Sequence, residues 1–330
     1  MHHSENTPHM MQRLPLIAHS LIAAVSCVLL STARAATKEE LPAPDFANVS
    51  YGKHARNVFD LWLPKTAKPA PLVLFIHGGG FKGGDKRAFS PATLSQYREA
   101  GWALAAINYR LTDTAPAPAA YLDCARALQH LRHHAREWRL DPRRVAATGG
   151  SAGAGTSLWL AFHDDLADPK NADPIAREST RLTCVAVTNA QSSYDPRFAA
   201  KIGIPRPNFE RHDFFLPFYG ITKAEIDTPK AYERYEMAAP ITYLTKDDPP
   251  VQLRYGHRNE TVTDKTSLGV IVHHPLFGIA LKREMDKLGI ECVVIYRGTG
   301  ADELLQEPPA RGGRVVGTMD FIRKHFEAVR

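Results

Sequence analysis

Cysteine is scarce in this sequence, with 4 among 330 residues. So few cysteines exclude a fold held together mainly by disulfides. Beyond residue 35 there are three, Cys124, Cys184 and Cys292, in apolar stretches that predict one helix and two strands. An odd number of cysteines in apolar settings favours buried free thiols.

Dense runs of basic residues are also lacking. The formal net charge is +6, from 41 basic and 35 acidic residues, so we predict no nucleic-acid partner. Glycines at positions 83 and 84 precede a lysine but do not complete the GxxxxGK phosphate motif. We therefore predict no nucleotide and no other cofactor.

Three histidines at helical spacing form the only metal-like pattern that we find in the sequence. They are His130, His133 and His134. No carboxylate or cysteine that would complete a ligand set accompanies them. We predict a solvated helix face there and no metal site.

The N-terminus has the pattern of an export signal. Arg13 precedes an apolar run over residues 14–30, and an A-x-A cleavage pattern ends at Ala35. The run is short for a membrane span. We predict a signal peptide over residues 1–35, a linker over 36–48 and a single domain over 49–330. The mature protein would be periplasmic or extracellular, with no stable membrane span, and no feature indicates its oligomeric state.

Strand-like apolar runs alternate with helical patterns along the predicted domain. The strand-like runs cover residues 49–51, 57–63, 72–76, 102–107, 182–189, 251–255 and 290–296, with another leading into Ser151; the helical patterns cover 91–100, 119–138, 274–288 and 315–329 and follow Ser151. This alternation predicts an α/β fold with a mostly parallel, doubly wound sheet. Residues 194–247 interrupt it, being rich in proline and aromatics. We predict a small irregular cap insertion there, which either packs as a cap or lines a pocket.

A glycine-flanked serine follows one of these strands, as Gly149, Ser151 and Gly153. A serine on a sharp strand-to-helix turn is displayed at the end of the sheet, and the glycines leave room for neighbouring backbone. Such a turn points the N–H of Ala152 toward an oxyanion.

A second glycine cluster, from His77 to Gly80, lies about seventy residues earlier, after a preceding strand. Loop amides approach a substrate oxygen closely only where no side chain intervenes. Together and in this order, the two motifs predict an oxyanion hole and its nucleophile.

The sequence resembles the α/β-hydrolases, in the esterase/lipase branch typified by hormone-sensitive lipase and bacterial acetyl esterases. The resemblance rests on short motifs at residues 77–81, 108–111, 123–125, 141–145, 150–153, 240–243 and 248–250. It implies a carboxylesterase or lipase acting on a small-molecule or carbohydrate ester. It also implies that Ser151 is the nucleophile, that the amides of Gly79, Gly80 and Ala152 form the oxyanion hole, and that residues 194–247 wall the acyl pocket.

The two groups that should activate the serine are replaced. Where the family has its acid this sequence has Asn259, and where the family has its histidine it has Ala301. A serine hydroxyl without a base is a poor nucleophile at neutral pH.

Three interpretations therefore stay open. The protein is an impaired hydrolase, a hydrolase whose base comes from another position, or a catalytically inactive module that binds a ligand or a protein. The candidate bases are His257, His273 and His274, and the candidate orienting carboxylates are Glu260 and Asp302. Pro275 predicts the first turn of the next helix, and a helix that follows a parallel strand begins on the face that displays the serine.

Overall fold

The structure is a computed structural model that describes residues 40–206, 213–298 and 317–329. The predicted signal peptide lies outside these ranges. So do two of the positions singled out for the site, Ala301 and Asp302.

One sheet of eight strands organises the described residues. The strands are β1 Phe46–Ser50, β2 Val58–Trp62, β3 Ala70–Ile76, β4 Ala103–Ile107, β5 Leu140–Gly150, β6 Cys184–Thr188, β7 Val251–Tyr255 and β8 Cys292–Tyr296. Their order is β1-β2-β4-β3-β5-β6-β7-β8. The pairs β1–β2 and β2–β4 are antiparallel and every other pair is parallel. The predicted mostly parallel α/β fold is confirmed.

Helices cover both faces of the sheet. They are α1 Pro91–Glu99, α2 Ala119–His133, α3 Ala152–Phe162, α4 Pro196–Lys201, α5 Leu216–Tyr219, α6 Pro229–Ala238, α7 Leu268–Val272, α8 Leu276–Lys287 and α9 Thr318–Ala328. Alternate residues of β3 join different cores: Leu72 and Leu74 pack with α2, α3 and α8, whereas Val73 packs with α1 and α9. Burial on both faces explains the continuous apolar runs in the sequence. No helix of the described ranges has the length and apolar character to cross a bilayer.

The edge of the sheet begins earlier than the sequence indicates. β1 starts at Phe46, inside the segment predicted as a linker over residues 36–48. Phe46 pairs with Leu61 of β2, and its ring lies 5.7 Å from the ring of Trp138. These contacts come from distant parts of the chain, so the local composition does not reveal them.

The predicted solvated histidine face is wrong for His130. This side chain is only 9% exposed, and its ring lies 5.7 Å from that of Phe59 and 5.9 Å from that of Trp138. Burial is the main cause that lowers the pKa of His130 to about 4. The helix also ends at His133, before the predicted boundary at residue 138. The prediction of buried free thiols at Cys124, Cys184 and Cys292 is confirmed.

The strand register brings the two glycine motifs together. Ile76, the last residue of β3, is level with Gly149 of β5. A Cβ added at Gly149 would lie 2.2 Å from the carbonyl oxygen of Ile76, and one at Gly153 would lie 2.0 Å from the same oxygen. Both glycines of the serine motif are therefore required by one backbone contact.

We expect Gly153→Ala to lower the free energy of unfolding by about 1–3 kcal/mol, because the new methyl group overlaps a backbone atom that has no room to move. Gly83→Ala is the matched control, since its Cβ would meet nothing within 4 Å. Denaturant unfolding of both variants measures the difference. Equal stability of the two variants would contradict this packing argument.

Candidate active site

Ser151 occupies the turn between β5 and α3 in a conformation that non-glycine residues rarely adopt. Its φ is 54° and its ψ is −121°. The turn is held by two backbone hydrogen bonds: the amide of Ser151 donates to the Thr188 carbonyl at 3.0 Å, and the amide of Gly155 donates to the Ser151 carbonyl at 2.9 Å. Strained backbone of this kind persists only where its surroundings hold it in place.

The loop after β3 also runs through positive φ angles. Gly79 has φ 108°, Gly80 has φ 61° and Phe81 has φ 61°. Glycine adopts such angles at no steric cost, but phenylalanine does not. Phe81 is fully buried and stacks on Phe218, with ring centroids 4.2 Å apart. That packing offsets the strain and fixes the end of the loop.

Three backbone amides from these two turns lie together. Gly79, Gly80 and Ala152 line the same cavity as Ser151. Within the described residues, none of these amides donates to a protein acceptor. Ala152 is the first residue of α3, where helix N–H groups have no partner inside the helix. The arrangement can donate several hydrogen bonds to one developing negative oxygen.

The buried side chain of His77 stabilises the glycine loop through hydrogen bonds. The guanidinium of Arg56 lies 3.1 Å from Nε2 of His77 and also donates to the carbonyls of Tyr109 and Gly84. Because arginine only donates, Nε2 accepts, and the proton sits on Nδ1, which donates to the Gly78 carbonyl at 2.7 Å. Burial is the main cause that lowers the pKa of His77 to about 4.

Among the candidate histidines, His273 is the one that reaches the serine. Its Nε2 lies 2.9 Å from Oγ of Ser151. His273 follows α7, at the end of the long connection from β7. Burial lowers the pKa of His273 below its usual value, and the neighbouring His257 lowers it further. The lowered pKa favours the neutral imidazole, which is the form that accepts a proton.

The backbone of Gly269 in α7 also affects His273. Its interaction with the imidazole raises the pKa of His273 and partly opposes the effect of burial. Within the described ranges no carboxylate hydrogen bonds to His273. Sequence reasoning missed Gly269, because an interaction through the backbone leaves no mark on residue identity.

The other candidates lie nearby but do not contact the serine hydroxyl. His274 is buried and points the opposite way, with Nε2 donating to the Glu260 carbonyl at 2.8 Å and Nδ1 accepting from the Leu276 amide. His257 lies parallel to His273, with ring centroids 6.4 Å apart. Glu260 is exposed and Asn259 is half-buried on the loop after β7. Neither of these two side chains hydrogen bonds to His273.

A cavity of about 420 Å³ opens beside Ser151. Aromatic side chains from the loop after β3 and from the segment between β6 and β7 form much of its wall: Phe81, Tyr194, Phe214 and Phe215. The same segment also packs inward, with Phe218 and Tyr219 buried in the core. Residues 194–206 and 213–247 thus both line a pocket and pack as a cap.

We expect Arg56→Met to orphan Nε2 of His77 and to cost about 1–3 kcal/mol of folding free energy. It also removes a positive charge that lowers the pKa of His77, so that pKa should rise. NMR titration of the ring nitrogens should find wild-type His77 neutral and protonated on Nδ1 down to a midpoint near pH 4. Arg283→Met, at an exposed position on α8, is the control.

The lowered pKa of His77 also makes the folding stability of the protein depend on pH. The folded-state pKa of about 4 lies below the ordinary value of 6.5, so the unfolded chain takes up the proton first. His77 therefore reduces stability as the pH falls from 6.5 toward 4, and its contribution is constant above 6.5. A wild-type His77 that titrates near 6.5, or is protonated on Nε2, would contradict this account.

Comparison with known proteins agrees with the fold. A family model described as BD-FAE matches residues 59–204, a range that contains the glycine loop and Ser151 and ends before β7. The probable carboxylic ester hydrolase LipM of Mycobacterium tuberculosis is 29% identical over 231 residues, which are 68% of this chain and 50% of that protein. Esterase LipQ of the same organism is 25% identical over 235 residues, 68% of this chain and 51% of that protein. The chain thus spans about half the length of these curated relatives.

A solved structure shares the architecture. Esterase 2 of Thermogutta terrifontis, phosphonylated by sarin, superimposes with a TM-score of 0.57 at 20% identity, covering 87% of this chain and 93% of that one. At this identity the likeness concerns the fold. It shows that the chain has the α/β-hydrolase fold, and the sequence relatives named above are an esterase and a probable ester hydrolase.

Proposed function

We propose that the protein is a carboxylic ester hydrolase in which Ser151 is the nucleophile and His273 its general base. The amides of Gly79, Gly80 and Ala152 form the oxyanion hole. The observation that carries the proposal is the 2.9 Å contact between His273 Nε2 and Ser151 Oγ beside the cavity. A base that lies within hydrogen-bond distance of a serine hydroxyl activates it as a nucleophile.

In the first half of the reaction, Ser151 Oγ attacks the ester carbonyl while its proton passes to Nε2 of His273. The carbonyl oxygen becomes an oxyanion that accepts hydrogen bonds from the loop amides and from Ala152. The imidazolium then gives its proton to the leaving alcohol oxygen as the C–O bond breaks. This step yields an acyl-serine and a free alcohol.

In the second half, water attacks the acyl-serine and His273 accepts a proton from it. A second oxyanion forms in the same place and collapses, and Ser151 recovers its proton from the imidazolium. The net reaction consumes one ester and one water and gives one carboxylic acid and one alcohol. The largely apolar cavity suits the hydrocarbon part of the acyl group.

We propose that the backbone of Gly269 helps to orient His273, since no carboxylate among the described residues hydrogen bonds to that imidazole. Replacing the orienting carboxylate of a serine hydrolase by an amide costs about 10⁴-fold in rate, because the wrong tautomer is favoured. A carbonyl acceptor favours the correct tautomer, with the proton on Nδ1. It lacks the full charge that stabilises the imidazolium, so we propose an enzyme slower than one with a complete triad.

We expect Ser151→Ala to abolish hydrolysis of short-chain aryl esters and His273→Gln to lower kcat by about 10²–10⁴-fold, because proton transfer in the transition state is lost. The matched controls are His257→Gln and His274→Gln. His274 has a structural role, so its variant should lose stability and keep the chemistry. Steady-state kinetics and denaturant unfolding on the same preparations separate the two effects.

Two results would overturn the proposal. If the wild type is as inert as Ser151→Ala over a broad ester panel, the chain is a binding module without chemistry. If His273→Gln retains wild-type kcat, the base is another group.

We also infer that the protein is exported. Support comes from the apolar run over residues 14–30 and the cleavage pattern that ends at Ala35. Expression of the full chain in a bacterium, followed by mass spectrometry of the periplasmic fraction, should find a chain that begins at Ala36. A chain that stays uncleaved in the cytosol would contradict export.

A further inference from the structure

A second cavity, of about 280 Å³, lies beside the candidate active site. It is formed at the carboxyl ends of β7 and β8, and its wall is polar, including His257, Arg258, Thr261 and Arg297. The mechanism described above uses none of these groups. We call this cavity the basic pocket.

The basic pocket shares a wall with the cavity at Ser151. Leu268, Gly269 and Val272 of α7 line the cavity at the serine, whereas Val270 of the same short helix lines the basic pocket. The parallel rings of His257 and His273 complete the boundary between the two, because His257 lines one space and His273 the other. A ligand extending from the serine past His273 therefore approaches the basic pocket.

Two guanidinium groups dominate the charge of the basic pocket. Within the described residues, Arg258 and Arg297 form no ion pair, and Glu260 is the single carboxylate among the lining residues. The ring nitrogens of His274 are both already used in hydrogen bonds. Among its described lining residues the pocket thus offers two arginine cations against one anion, with donors that suit a planar carboxylate.

The backbone contacts the side-chain stem of Arg258 and positions the loop that carries Arg297. Gly298 has φ 95°, and a Cβ there would lie 3.0 Å from Cγ and 3.2 Å from Cδ of Arg258. The Arg258 stem therefore lies directly against the Gly298 backbone. The amide of Arg297 donates to the His257 carbonyl at 3.2 Å, which ties the two loops together. Holding a charged side chain before binding reduces the entropy lost when a ligand binds.

The chemistry of the site decides which part of an ester faces the basic pocket. The imidazole that gives a proton to the leaving alcohol must lie next to that alcohol. The alcohol portion therefore lies on the His273 side of Ser151, toward the arginines, and the acyl group lies in the cavity lined by aromatic side chains. We propose that the preferred substrates are esters of hydroxy acids, in which a carboxylate on the alcohol portion binds Arg258 and Arg297. This inference rests on the proposed hydrolase function.

The test compares 4-acetoxybenzoate with its neutral counterpart 4-acetoxybenzamide, each rate divided by the hydroxide-catalysed rate of the same ester. We expect wild-type kcat/KM to favour the acid by about 10–100-fold, the range for a charge-assisted hydrogen-bonded contact. The double variant Arg258→Gln/Arg297→Gln should lose this preference and keep its activity on the amide. Raising the salt concentration should weaken the preference, because the arginines are exposed.

Two further variants control for charge alone. Arg283→Gln removes one positive charge from an exposed position on α8 and should leave the preference unchanged. Glu260→Gln removes the pocket's anion and should increase it. Equal kcat/KM for the two esters in the wild type, or a preference that survives in the double variant, would overturn the proposal.

Equilibrium binding separates this proposal from the hydrolase function. Calorimetry with Ser151→Ala and 4-acetoxybenzoate measures recognition without turnover. Arginine-dependent binding together with an inert wild type would support the pocket and reject the hydrolase. Hydrolysis of both esters with no arginine-dependent binding would support the hydrolase function and reject the carboxylate-binding role of the pocket.

Discussion

The backbone of the serine turn lies against the last carbonyl of β3, and the whole site depends on that contact. Gly149 and Gly153 approach the Ile76 oxygen so closely that neither position has room for a Cβ. The contact brings the loop that follows β3 next to Ser151. The proposed nucleophile and the proposed oxyanion donors thus come from segments far apart in the chain and are positioned by one steric requirement. The Arg56–His77 pair then fixes the loop from the side away from the cavity.

This dependence explains what the sequence predicts well. Buried parallel strands need continuous apolar runs, and a tight backbone contact needs glycine, so sheet and serine turn are both visible in residue identity. The sequence pattern does not predict two features, the burial of His130 and the start of β1 at Phe46, and the reason is the same for both. Both depend on Trp138 and other aromatic partners supplied by distant segments, and local periodicity carries no information about such partners.

The sequence reduces the candidate bases to three histidines but does not distinguish among them. His273 and His274 are adjacent in sequence, yet one reaches Ser151 and the other the Glu260 carbonyl. That choice depends on where α7 ends relative to the serine turn, which no local pattern specifies. The role proposed for the Gly269 backbone is not visible in residue identity for a different reason, since every residue carries a carbonyl. In the proposed mechanism, proton acceptance thus falls to His273, at a different position from the histidine of the family that the sequence resembles.

The proposed mechanism requires that His273 accept the proton of Ser151, although no carboxylate among the described residues hydrogen bonds to His273. The most direct test is the rate at which an organophosphonate labels Ser151, followed by mass spectrometry as a function of pH in the wild type and in His273→Gln. Because the pKa of His273 is lowered, we expect wild-type labelling to decline only as the pH falls through a midpoint below 6.5. Labelling of the variant should be slower by at least ~10²-fold and should show no such midpoint. Equal labelling rates for the two proteins would exclude His273 as the base.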